Sequence, residues 1–128
     1  MDRRWSTRKY LSLYASLEVP SYNRTVVGNL RDLSPGGAFI ETEVLLPADA
    51  PLTLEFRFPG ILSQNTFRLN ARLIHRHPGG AGIAFVGMSP ALIHALSEAL
   101  SQYELQQEPD IFPEFAMTKN SLYKKRLS

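Results

Sequence analysis

Leu52-Thr53-Leu54-Glu55-Phe56-Arg57-Phe58 alternates apolar and polar residues at every step. Successive side chains of a strand point to opposite faces, so this run sends its leucines and phenylalanines into a core and leaves Thr53, Glu55 and Arg57 in water. Working outward, Phe67, Leu69, Ala71 and Leu73 repeat the pattern, with Arg68, Asn70 and Arg72 facing solvent. Upstream, Tyr10 to Val19 and Thr25 to Leu33 are strand-like, and Ala38-Phe39-Ile40 continues after a pair of glycines. Ile83 to Val86 makes a last strand. Pro47 to Pro51, Pro59-Gly60 and Pro78-Gly79-Gly80 punctuate these runs. Gly79-Gly80-Ala81-Gly82 lacks the Lys-Ser/Thr pair of a phosphate loop and lies between two strands, so it reads as a hairpin turn. Short strands separated by turn signals predict an antiparallel barrel or sandwich.

The period then changes. Ser89 is suited to capping free N–H groups, and Pro90 loses no hydrogen bond at the first helical position. Leu92, Leu96, Leu100 and Tyr103, with Ile93 beside them, draw one apolar stripe on a helix running to about Gln107, and that stripe predicts packing against the strands. Pro109 ends the helix. Residues 109–128 carry Phe112, Phe115, Leu122 and Tyr123 without a sustained period and read as a tail available to dock on the domain or on a partner. The basic cluster Lys119, Lys124, Lys125 and Arg126 reads as solvated chain.

A chain of 128 residues suits one domain with a core that stands without staples. The absence of cysteine excludes disulfides, a thiol nucleophile and a cysteine zinc site, and it fits a reducing cytoplasm. No apolar run reaches the roughly 18 residues of a membrane span, and Met1 leads into charge, so the expectation is a soluble cytoplasmic protein. Charge is concentrated at one end. Arg3, Arg4, Arg8 and Lys9 against Asp2 leave a surplus of three positive charges, more than the net +2 of the whole chain. Basic character confined to an arm points to a local anion site, whereas a nucleic-acid track needs cations spread along a face.

That arm, residues 1–10, pairs with a second feature, the turn Asp32-Leu33-Ser34-Pro35-Gly36-Gly37. An arginine fork donates two parallel hydrogen bonds to guanine O6 and N7 or to a phosphate, and its flat face stacks on a base. The Asp32 carboxylate only accepts, which matches the N1–H and N2–H₂ donors that guanine presents and adenine lacks. Ser34 donates or accepts at short range. Gly36 and Gly37 permit positive φ and let a ligand approach the backbone. Arginine forks, a carboxylate, a hydroxyl and a glycine turn suit a small, doubly phosphorylated purine better than a substrate to be cut. Asp32 and Ser34 also fit ordinary turn roles, which coexist with ligand contact. Trp5 serves equally as a base-stacking ring or as an anchor onto the barrel.

Arg4-x-x-x-Arg8, followed by Asp32-x-Ser34-x-x-Gly37, Ala38-Phe39-Ile40 and Gly82-Ile83-Ala84-Phe85, resembles a PilZ domain over roughly residues 3–105. Either motif alone is weak. Both in order, in an all-β chain with a closing helix, are much more specific. The resemblance implies a six-stranded antiparallel β-barrel with a C-terminal helix, residues 11–108 here, and a bacterial receptor for the second messenger cyclic di-GMP. The ligand would lie between the arm and the turn, contacting Arg3, Arg4, Arg8, Asp32, Ser34, Gly36 and Gly37, with no cofactor. An arginine at position 3, just before the first motif arginine, leans towards two stacked ligands in that family. The signal would then pass by conformational change to a downstream effector protein.

Rival classes have less behind them. There is no Gly-x-Ser-x-Gly elbow, no two-histidine helix motif and no paired carboxylate, so the expectation is not an enzyme. His75 and His77 share a strand face but have no third ligand nearby in sequence, so no metal is expected. A β-barrel binding single-stranded nucleic acid would use basic and aromatic strand faces, and here those faces mix Glu55 with Arg57, Arg68 and Arg72. An adaptor acting by protein contact alone is the closer alternative, because members of the broader family without the nucleotide motifs work that way.

Overall fold

The computed structural model describes residues 8–61 and 66–107. Arg3, Arg4, Trp5 and the segment 109–128 lie outside the described residues. The elements follow in the order β1 (Lys9–Val19), β2 (Arg24–Ser34), β3 (Gly37–Glu41), β4 (Pro51–Arg57), β5 (Thr66–His77), β6 (Gly80–Phe85) and α1 (Pro90–Gln107), with a short 3₁₀ turn at Pro20–Tyr22. The strands close into an antiparallel barrel in the order β1-β2-β3-β6-β5-β4, in which β4 returns to pair with β1. Closure leaves no free sheet edge around most of the ring, which is how small antiparallel proteins avoid edge-to-edge pairing.

The alternation decides the inside. Leu52, Leu54, Phe56 and Phe58, together with Phe67, Leu69 and Ala71, are buried and meet Leu13, Ala15, Leu17 and Val19 of β1. Phe56 and Phe67 stack with ring centroids 5.9 Å apart, and Phe58 sits edge-on to Phe56 at 5.5 Å. Ser89 caps α1 as its residue type predicts, because its Oγ accepts from the Leu92 N–H at 3.1 Å. Leu96, Ala99 and Leu100 of α1 join the core, with Leu92, Ile93 and Tyr103 packed against it. The C-terminal half of α1 is tied to the barrel by the Gln106 side-chain amide, which donates to the Gly60 carbonyl at 2.9 Å, and by a 3.9 Å ion pair between Lys9 and Glu104. No helix among the described residues is long and apolar enough to cross a membrane.

One stretch differs from the sequence expectation. β5 runs on to His77 and β6 already begins at Gly80, with His77 facing Gly80 and His75 facing Gly82. The turn is therefore Pro78-Gly79, where Gly79 has φ +81°, while Gly80, Ala81 and Gly82 belong to the ladder. A register shift between Leu73 and His75 admits an extra residue, Ile74, which is exposed.

On the outer face Arg68 bridges two carboxylates, Glu18 at 2.8 Å and Glu55 at 3.1 Å. The hydrogen bond from Arg68 holds Glu18 below the ordinary carboxylate range, and the same bond raises the guanidinium of Arg68. Because the folded value of Glu18 is the lower one, its stabilising contribution is present at neutral pH and fades as pH falls through that lowered value. A carboxyl-detected NMR titration should find Glu18 titrating lower than in the Arg68→Ala variant, where it returns towards the ordinary range.

Candidate functional site

The site is built on the corner between β2 and β3. Inward residues of β2 are Val26, Leu30 and Leu33, so between the last two the spacing is three where strict alternation would give two or four. The ladder absorbs this with a bulge, in which Leu30 faces Ile40 and Asp32 faces Phe39. The bulge keeps Leu33 in the core while turning Asp32 to the outer face, a common use of bulges near functional sites.

Arg8, 24 residues earlier, reaches this carboxylate, its Nη1 donating to Asp32 Oδ1 at 2.6 Å. The arrangement follows from the β1–β2 register, in which Lys9 pairs with Leu33 and Tyr10 with Asp32. The Asp32 side chain is 13% exposed and that of Arg8 is 51% exposed. A guanidinium has five N–H donors and a carboxylate has about four acceptor positions, so one bond leaves both groups with further bonding capacity, and the half-exposed guanidinium is the more accessible of the two. Arg8 is thereby held at the corner with spare donors for an anion or a purine edge. Beyond Asp32, Ser34 Oγ donates to the Gly37 carbonyl at 3.3 Å, and Ser34 and Gly37 are partners across the two strands. Tyr10, opposite Asp32, is 82% exposed.

The glycines need a correction. Neither Gly36 nor Gly37 has a positive φ, so the corner does not rely on left-handed backbone there. Gly37 is required for a different reason: a Cβ at that position would collide with the Ile83 carbonyl of β6. A Cβ on Gly36 would meet nothing within 4 Å, so that side of the corner is open. Gly36 is fixed instead through its carbonyl, which accepts from the Phe85 N–H at 2.9 Å.

Of the predicted site residues, the structure brings together Arg8, Asp32, Ser34, Gly36 and Gly37, while Arg3 and Arg4 lie outside the described residues. Sequence reasoning assigned Arg8 and Asp32 to a ligand separately and missed that they bind each other. Among the described residues there is no cluster of three or more His, Cys, Asp or Glu able to hold a metal ion.

The barrel order, the closing helix and this corner define a class. The model of the PilZ domain family matches residues 2–102. The chain belongs to that family. The PilZ domain of CeSA from a cellulose-synthesizing bacterium is 19% identical with a TM-score of 0.60, over 77% of this chain and 99% of that one. The PilZ domain of Escherichia coli YcgR, solved with c-di-GMP, is 20% identical with a TM-score of 0.60, over 83% of this chain and 94% of that one. The Bacillus subtilis inhibitor of motility MotI/DgrA is 14% identical with a TM-score of 0.61, over 85% of this chain and 54% of that one. No curated protein sequence matches the chain significantly.

Proposed function

We propose that this chain is a cyclic di-GMP receptor that holds the dinucleotide between the arm carrying Arg4 and Arg8 and the corner from Asp32 to Gly37. The observation that carries this reading is the 2.6 Å contact between Arg8 and Asp32, which joins the two motifs at one place on the barrel. Family membership and a relative solved with c-di-GMP support the choice of ligand. Chemically, the ligand brings two phosphates and two guanines. Arg8, with Arg4, supplies cationic forks for phosphate or for guanine O6 and N7, and Asp32 accepts from the guanine N1–H and N2–H₂. Arg3 biases the site towards a stacked pair of ligands.

The domain is a binding module acting in the cytoplasm, not an enzyme, and its output is an ordered surface. Ligand draws the part of the arm that precedes Arg8 onto the corner where Arg8 already lies, and that newly formed surface engages a downstream effector, to which residues 109–128 add apolar contacts. A ligand that favours the closed arrangement shifts the population only by its differential affinity for it.

Hydrogen exchange tests this directly: saturating cyclic di-GMP should slow exchange in residues 1–10 and 32–37, and identical exchange with and without ligand would refute the relay. Asp32→Ala should lose base selectivity as well as affinity. In calorimetric titrations the preference for cyclic di-GMP over cyclic di-AMP should shrink by roughly fivefold or more, in line with about 1–3 kcal/mol for a well-placed base contact. An unchanged preference would remove Asp32 from base recognition.

A further inference from the structure

β1 pairs with β2 from Lys9 to Val19, but β4 pairs with it only from Ala15 to Glu18. Beside residues 9–14 stands the C-terminal part of α1 instead, with Glu104 bonded to Lys9 at 3.9 Å. A helix offers a strand no ladder hydrogen bonds, and here it leaves a cleft of about 720 Å³ along the first half of β1, within the size range of sites that hold organic groups. Leu11, Leu100 and Tyr103 give the cleft an apolar wall, and Ser12, Glu104 and Gln107 bring a hydroxyl, a carboxylate and an amide to it.

The chain itself leads an aromatic residue to this place. In β1 the odd-numbered residues turn inward, with Lys9 and Leu11 half-buried and Leu13 buried, while Arg8, Tyr10, Ser12 and Tyr14 are exposed. Carried back into the arm, the same alternation sets Trp5 and Thr7 on the α1 side and Arg4 with Arg8 on the side of Asp32. Trp5 is three residues from Arg8, a reach of about 10 Å for extended chain, and Lys9, next to Arg8, already touches a wall residue of the cleft. The lining matches an indole, whose flat body is apolar and whose N–H needs an acceptor when buried. Ser12, Glu104 and Gln107 all carry one. The acidic wall residue, Glu104, is also opposite in charge to the arginines that flank Trp5.

We propose that Trp5 of the arm seats in the cleft between β1 and α1 and is a positioning residue, which turns Arg4 and Arg8 towards the Asp32 corner before any ligand arrives. The seat stands on the fold, and its effect on affinity rests on the receptor reading given above. An arm already held at Trp5 has fewer side chains left to order on binding, and pre-organisation of this kind raises affinity.

Trp5 is the only tryptophan in the chain, so its fluorescence reports the seat without a label. In the ligand-free full chain its emission should lie to the blue of the urea-denatured chain and resist acrylamide quenching, and NMR should show contacts from the indole ring to the Leu11 and Leu100 methyl groups. In calorimetric titrations cyclic di-GMP should bind about fivefold weaker to Trp5→Ala and within about twofold of wild type to Trp5→Phe, which keeps a ring for the apolar wall. An indole open to quencher in the free chain, or a shielded one without contacts to Leu11 and Leu100, overturns the seat whether or not ligand binds. A seated Trp5 with unchanged affinity in Trp5→Ala overturns the positioning role and leaves the receptor reading standing. Absence of binding by wild type overturns the receptor reading and with it the positioning role, while the emission still decides the seat.

Discussion

Arg8→Ala is expected to lower the proposed affinity for cyclic di-GMP by upwards of about 25-fold. The substitution removes the guanidinium that contacts Asp32 at 2.6 Å and with it the spare donors held at the corner. Truncating one member of a charged, hydrogen-bonded contact at a binding site costs about 2–5 kcal/mol, and each 1.4 kcal/mol is a factor of ten. Much of the expected loss would come from Asp32, whose side chain is only 13% exposed and would be left without its cationic neighbour. The fold is not expected to suffer. Arg8 precedes β1 and is half exposed, and an exposed ion pair contributes at most about 1 kcal/mol to stability. Calorimetry should therefore show a large loss of affinity, while the thermal midpoint without ligand moves by no more than a few degrees. Full affinity in Arg8→Ala would remove the arm from the site.

Phe58→Ala produces the opposite pattern. Phe58 is fully buried just beyond β4, where its ring meets Phe56 at 5.5 Å, Phe67 at 5.9 Å and Tyr103 of α1 at 5.4 Å. It thus joins the aromatic layer of the barrel to the closing helix. Deleting a buried phenyl ring costs about 3–5 kcal/mol, from lost transfer free energy and the cavity left behind. Set against the roughly 5–15 kcal/mol that holds a typical domain together, this is a large fraction. Urea denaturation should show the midpoint falling sharply with little change in slope, and a loss below about 1 kcal/mol would mean that helix and barrel are not packed through this ring.

The contrast between these two residues mirrors what could be read from the chain. Strict alternation in Leu52 to Phe58 located a half-buried strand because burial on one face leaves a period of two, and the stripe from Leu92 to Tyr103 located α1 because burial on one side of a helix leaves a period near 3.6. The places where the pattern breaks were harder. The three-residue step from Leu30 to Leu33 marks the bulge that turns Asp32 outward, but a short irregularity looks like noise until the partner strand shows which residue is unpaired. The step at Ile74 hides the second bulge in the same way.

Glycine is ambiguous for a related reason. Gly37, Gly80 and Gly82 make way for a neighbouring carbonyl or ring, whereas Gly79 serves a left-handed turn, and the sequence letter is the same for both uses. The contact between the rings of Phe39 and His77, 5.6 Å apart, was hidden by connectivity. His75 and His77 share a face by simple alternation, but Phe39 joins them only because β6 inserts between β3 and β5 in the barrel order. The motif residues themselves were legible as chemistry. Their mutual contact was not, because it depends on a register between strands that no local pattern encodes.

The proposed receptor depends on one joint site for cyclic di-GMP, arm and corner together. Titration of cyclic di-GMP into the full chain, followed by heat release and by the shift in thermal midpoint, tests it most directly. Saturable binding is predicted, with upwards of about 25-fold loss in each of Arg4→Ala and Arg8→Ala. Absence of both heat and thermal shift in the wild-type protein would contradict it.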